Sequence, residues 1–184
     1  MKKIFVAVFC AIILSSSFCY AAEKTGILIV APTQFKTQDF LKIASETFGK
    51  DYIVSQKTQD AWATYCWDKN FVDTDPTINK ETLADFAKTT YFDKIIFVMF
   101  KDVESTVENM GVTVIYGLIR KNVRRRTSLQ ARVVIMNQAG ETLQVFEESY
   151  TDASMASELR ANRGAFKGLC KSIAKRFNTD KSEK

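Results

Sequence analysis

Five cations fall within seven residues at Arg120, Lys121, Arg124, Arg125 and Arg126. Positive charge of that density attracts polyanions or an anionic surface. A second set, Arg160, Arg163, Lys167, Lys171 and Lys175, recurs at spacings that share one helix face. The alternative for the two sets is a solvated turn and an ordinary wet helix face. No aromatic is interleaved with the first set, as a binder of single-stranded nucleic acid requires, so no nucleic acid is expected as a partner.

Other chemistry is narrowed by what the sequence lacks. There is no histidine in the 184 residues, which removes Ser-His-Asp and Cys-His catalysis and His-ligated zinc. Glu104, Glu108, Glu147 and Glu148 could supply paired carboxylates for a hydrolase, but their spacing sets no two at a working separation. Asp73 and Asp75 lack the glycine and the later glutamate of an EF-hand loop. The segment Ala31-Pro32-Thr33-Gln34 has none of the glycines of a phosphate cradle. No catalytic residue, metal site or cofactor is therefore expected. Among the aromatics near Cys66, Trp62 reads as core. Trp67 sits past the apolar face and is a candidate contact residue, since aromatics are enriched at interfaces.

These residues must be positioned by a small set of elements. Gly26–Ala31 is a β-branched apolar run that reads as a buried strand closed by Pro32. Phe40, Leu41, Ala44 and Phe48 have helical spacing, with Thr37 to cap the helix and Gly49 to end it. Tyr52–Ser55 reads as a second strand, which gives a β-α-β start with a parallel pair. Helices are predicted over 56–69 and around Leu83, Phe86, Ala87 and Tyr91, followed by a buried strand at Ile95–Phe100. Val112–Ile119, Gln130–Met136 and Leu143–Tyr150 then read as an antiparallel meander, with the basic run as the hairpin tip between the first two. A long helix from about Ser154 to Phe177 carries the stripe Leu159, Phe166, Leu169, Cys170, Ile173 and Phe177. The fold class expected is α/β (α+β): a mixed sheet with that helix packed on it.

The N-terminus is tripartite: Lys2 and Lys3, an apolar run Ile4–Leu14, then small residues to Ala21. The apolar run is too short to span a bilayer, and the layout is that of a secretory signal peptide cut after Ala21. Cys19 follows Phe18 and Cys10 lies inside the apolar run, so neither suits lipid attachment. The expected organisation is a signal peptide at 1–21, one domain at 22–178 and a polar tail at 179–184. The mature chain holds 24 basic and 21 acidic residues and no transmembrane segment is expected in it. Its two cysteines, Cys66 and Cys170, are an even count in an oxidising compartment. A bridge between them would contribute up to ~4.7 kcal/mol on the chain-entropy picture; two buried free thiols are the alternative.

The element order resembles the periplasmic module of the curli-secretion-channel and penicillin-binding-protein-activator lipoproteins, whose N-terminal fold is shared with TolB. Thr25–Ala31 is similar to that family's opening strand. Ala84–Asp93 before Ile95 is similar to its passage from helix through an aspartate to a buried strand. Ala131–Val145, with Asn137-Gln-Ala-Gly-Glu-Thr142, is similar to its strand–turn–strand. The family's lipobox is absent here. The resemblance implies an assembly or regulatory role through protein contacts and transfers no catalytic residue. The expectation is a periplasmic or secreted, non-catalytic protein that contacts an envelope protein. The alternatives are binding of an anionic envelope surface through the basic run, and a carboxylate hydrolase.

Overall fold

The computed structural model describes residues 23–116 and 118–182, so the leader and its cut after Ala21 lie outside the described residues. Five strands form one mixed sheet: β1 (Thr25–Val30), β2 (Tyr52–Ile53), β3 (Lys94–Ile115), β4 (Leu118–Asn137) and β5 (Thr142–Ser154). Their order is β2-β1-β3-β4-β5. β1 is parallel to β2 and to β3, whereas β3, β4 and β5 are antiparallel neighbours. The described helices are α1 (Gln38–Phe48), α2 (Gln56–Asp68), α3 (Lys80–Thr89) and α4 (Glu158–Ser182). The protein is thus an α/β fold with a β-α-β start, a meander and a final helix packed on the sheet.

The two-residue period of the strands sorts side chains into two cores. Ile27 and Ile29 of β1, Ile96, Val98 and Phe100 of β3, and Leu129, Ala131 and Val133 of β4 pack with α1 and α4. Leu28 and Val30, Ile95, Phe97 and Met99, with Val134 and Met136, pack with α2 and α3. β1 therefore needs apolar residues on both faces, and all six of its residues are buried. β2 is too short to pair with the whole of β1. In the amide orientation that satisfies both groups, the Gln59 side chain donates to the Ile29 carbonyl at 3.0 Å and accepts from the Ile29 N–H at 3.2 Å. A helix residue so completes the ladder where the edge strand stops.

Local signals set the helix ends. Ser55 Oγ accepts from the Thr58 N–H and Asn79 Oδ1 from the Thr82 N–H, which caps α2 and α3. Thr37 holds the cap position of α1 but makes no side-chain cap bond. Gly49 ends α1 at φ +89, a conformation that favours glycine. α4 starts at Glu158, later than expected, because β5 runs on to Ser154. It continues through Ser182, into the segment expected to fray. Leu159 is exposed instead of joining the apolar stripe, which starts at Ala161. α4 lies close on β5: a Cβ at Gly164 would overlap Asp152, and one at Gly168 would overlap the Tyr150 ring.

The expected Cys66–Cys170 bridge is corrected by this layering. Both cysteines are free and buried. Cys66 belongs to the α2–α3 core and Cys170 to the α1–α4 core, on opposite faces of the sheet. An even count in sequence says nothing about which side of a sheet each thiol meets. Burial pushes the Cys66 thiol up to about 11, and burial also raises Cys170 well above the ordinary thiol range.

Candidate functional site

The helical layers do not cover the whole sheet. α2 and α3 shield β1, the first half of β3 and the end of β4. The same face of β4 and β5 beyond that point is open and carries Gln130, Arg132, Val145 and Glu147. The β4–β5 ladder ends at the Arg125–Ser154 pair. Past it β3 and β4 continue as a two-stranded arm, paired from Asn109–Val123 to Ile115–Leu118. From Arg125 to Leu118 the arm extends roughly 23 Å at the usual rise of a strand.

The arm reverses between Ile115 and Leu118, so the basic run is not the hairpin tip. Arg120, Lys121, Arg124, Arg125 and Arg126 lie along β4, and the apolar run Val112–Ile119 supplies the turn and both flanks. The reversal is marked by Tyr116, which stands at φ +49, in the left-handed region that tight hairpin turns use. A register shift between Asn109 and Val112 marks a bulge, where Gly111 has φ +92 and its N–H donates to Asn109 Oδ1 at 3.2 Å.

Alternation along β4 also separates the cations. Arg124 and Arg126 share one face, while Lys121 and Arg125 share the other with Thr127, whose hydroxyl donates to Asn162 Oδ1 of α4 at 2.6 Å. Arg126 pairs with Glu108 across the arm at 3.0 Å. Among the described residues no carboxylate lies in ion-pair range of Lys121, Arg124 or Arg125. The three arginines therefore do not form the single exposed cluster that a tip would give. The α4 cations are drawn elsewhere in part: Arg163 pairs with Asp39 of α1.

At the far end of the arm the side chains are apolar and uncovered. Val112, Val114 and Ile119 project from the α4 side, Ile115 and Leu118 from the other, and Tyr116 is fully exposed. Exposed apolar side chains gathered at one end of an arm make it a candidate contact site. Reading Val112–Ile119 as one strand concealed it; the signal available was the lone glycine between two β-branched stretches. Trp67 is 82% exposed, with Phe71 and Val72 exposed nearby in the chain. It lies on α2, and none of the geometry joins it to the arm.

Three of the four candidate carboxylates are in ion pairs, Glu108 with Arg126 at 3.0 Å among them. Glu147 is held by Lys101 at 2.7 Å, and Glu148 by Ser172 at 2.7 Å and by Arg176 at 2.9 Å. As neighbours on a strand, Glu147 and Glu148 point to opposite faces. Glu104 lines an open concavity with Thr106, Arg126, Ser128 and Thr151. Among the described residues no group of three or more His, Cys, Asp or Glu side chains could hold a metal ion, and no helix is long and apolar enough to cross a membrane.

No family model and no curated protein matches the sequence. Among solved structures, a minor lipoprotein from Acinetobacter baumannii is similar at a TM-score of 0.36 and 7% identity, over 88% of this chain and 94% of that one. Likeness at that level assigns no function.

Proposed function

We propose that this chain is an exported, non-catalytic protein of the cell envelope that works by contact, and that the β3–β4 arm is its contact surface. The observation that carries the reading is the uncovered apolar end of the arm. A two-stranded hairpin is marginally stable alone in water, and one that exposes Val112, Val114, Ile115, Tyr116, Leu118 and Ile119 gains most by being covered. Export is supported by the tripartite leader at 1–21. The scattered, ion-paired carboxylates support contact over hydrolysis. Trp67 is a second candidate contact on the remote α2 surface.

The test is an arm-shortened variant in which an Asn-Gly turn joins Asn109 directly to Val123. Expressed with its leader, the wild-type protein is expected in the envelope fraction. The variant is expected in the soluble exported fraction, with its thermal transition retained. Equal distribution of the two proteins, or retention of the wild type in the cytoplasm, would overturn the reading.

A further inference from the structure

We infer that the arm docks on an anionic phospholipid leaflet, with its apolar end at the boundary of headgroups and acyl chains, Lys121 meeting lipid phosphates, and Arg124 and Arg125 in the field of the leaflet above them. The inference rests on the arm being the contact surface and names what it contacts.

Three features select a leaflet over a protein groove. Apolar side chains leave both faces of the arm, with Val112, Val114 and Ile119 on one side and Ile115 and Leu118 on the other. A groove or a sheet edge covers one face, whereas a fluid apolar phase covers both and the exposed Tyr116 as well. The cations behind this end also sit on both faces, Lys121 and Arg125 on one and Arg124 on the other. Charge is one-signed in this region: no Asp or Glu occurs from Asn109 to Gly140. Each cation near an anionic surface adds attraction, and the carboxylate at the base of this region, Glu108 opposite Arg124, is already paired with Arg126.

The dimensions fit shallow docking. Lys121 follows Leu118 by three residues and Arg124 by six, roughly 10 and 20 Å along the strand. Interfacial elements bury their apolar side to about 5–10 Å. At that depth Ile115, Tyr116 and Leu118 lie below the phosphates and Lys121 is level with them. Spanning is excluded for this hairpin by itself. A membrane-crossing strand needs about 9–11 residues, and the unpaired outer edges of both arm strands would leave backbone groups unsatisfied in hydrocarbon.

The experiment uses the exported protein without its leader and two vesicle types, phosphatidylcholine alone and an equal mixture with phosphatidylglycerol. The wild type is expected to co-sediment with the mixed vesicles and not with the neutral ones, and added salt should release it. Changing Lys121, Arg124 and Arg125 together to Gln should weaken binding at least ~10-fold, since Lys121 is at the surface and the arginines within about a Debye length of it. Changing Ile115, Leu118 and Ile119 together to Ser should weaken it at least ~10-fold. A Tyr116→Cys variant carrying an environment-sensitive dye should shift to the blue on mixed vesicles, since the native thiols are buried. Equal binding to both vesicle types, or binding indifferent to salt, overturns the inference. So does absence of vesicle binding, including the case in which the arm instead drives concentration-dependent self-association. Should a triple variant fail to fold, vesicle composition and salt dependence of the wild type decide alone. The underlying reading is judged separately: envelope association that needs the arm but is not reproduced by vesicles keeps the arm as contact surface and rejects the lipid.

Discussion

From Lys94 to Phe100, strand β3 lies between two helical layers, and Ile95–Phe100 are all buried. From Lys101 to Ile115 the same strand pairs with the same neighbour in the same antiparallel sense, yet most of its side chains are exposed. The hydrogen-bond ladder is common to both halves, so the ladder does not distinguish them; cover does. In the body, Phe97 sits against Trp62 and Phe86, with ring centroids 6.1 and 6.3 Å away. In the arm, Ile115 and Ile119 remain 52% and 75% exposed, so much of their apolar surface gains nothing from folding. The body is built to be stable by itself, and the arm presents surface whose burial requires something else.

The largest effect that would sharpen this contrast is thiol protection. Cys66 and Cys170 belong to the two cores that flank the body. With its pKa raised to about 11, only on the order of one Cys66 in a thousand is thiolate at pH 8 even before access is considered. Alkylation of the native protein should be slower than that of a denatured control by orders of magnitude, whereas a cysteine placed at Tyr116 should react at the control rate. A Cys66–Cys170 disulfide found by non-reducing peptide mapping would break the two-core arrangement itself.

Next in size is packing. Phe97→Ala is expected to cost about 3–5 kcal/mol in urea denaturation, the usual range for a large aromatic removed from a core. Ile119→Ala in the arm should stay within about 0.5 kcal/mol, as exposed changes do. Comparable losses at both positions would mean that the arm folds back onto a covered surface in solution.

How far the sequence disclosed these halves follows from the same physics. β1, α1, α3 and the first half of β3 are legible because each buries a face, and burial writes a period of two or of 3.6 into the residues. The stretch Lys101–Gly111 buries little, so its Glu, Ser, Thr and Val alternate without a core to report, and nothing there predicts a strand. The turn at Tyr116 was hidden among β-branched residues, and concentrated charge is a poor guide to a tip because charge needs only solvent, which the whole of the arm has. Trp67 was legible as exposed from its place off the apolar face of α2. The pairing of the cysteines was not, since helical periodicity puts each on an inward face without saying which side of the sheet that helix covers.

The boundary between the halves gives a smaller, well-placed effect. Thr127 and Asn162 are buried partners across β4 and α4, two residues before the ladder to β5 ends. Removing one partner leaves the other unsatisfied, at a cost of about 1–3 kcal/mol. Thr127→Val and Asn162→Leu should each show that loss, and the double variant should recover part of it. Full additivity would mean that the bond is not made and that the cover of α4 ends short of Thr127.

The smallest effect concerns exposed ion pairs on the body, where pH reports on geometry. The Lys101 ammonium donates to Glu147 and holds its carboxyl below the ordinary range. The Tyr65 hydroxyl does the same for Asp85, with help from Lys69. A carboxyl whose pKa is lower in the folded chain than in the unfolded one favours folding in its ionised form. That contribution is complete above the ordinary carboxylate range and is lost as pH falls through it toward the folded value. Thermal midpoints of Glu147→Gln and Tyr65→Phe should therefore lie slightly below the wild type at neutral pH and converge with it in acid. For Glu147, an exposed ion pair with Lys101, the difference should also shrink with added salt, whereas the neutral Tyr65 hydroxyl's bond to Asp85 is not screened in that way. A difference that persists in acid for either variant, or in salt for Glu147→Gln, would mean that the side chain matters through packing and not through charge. Glu147 would then have to lie under cover on the sheet face that the α2–α3 layer leaves open.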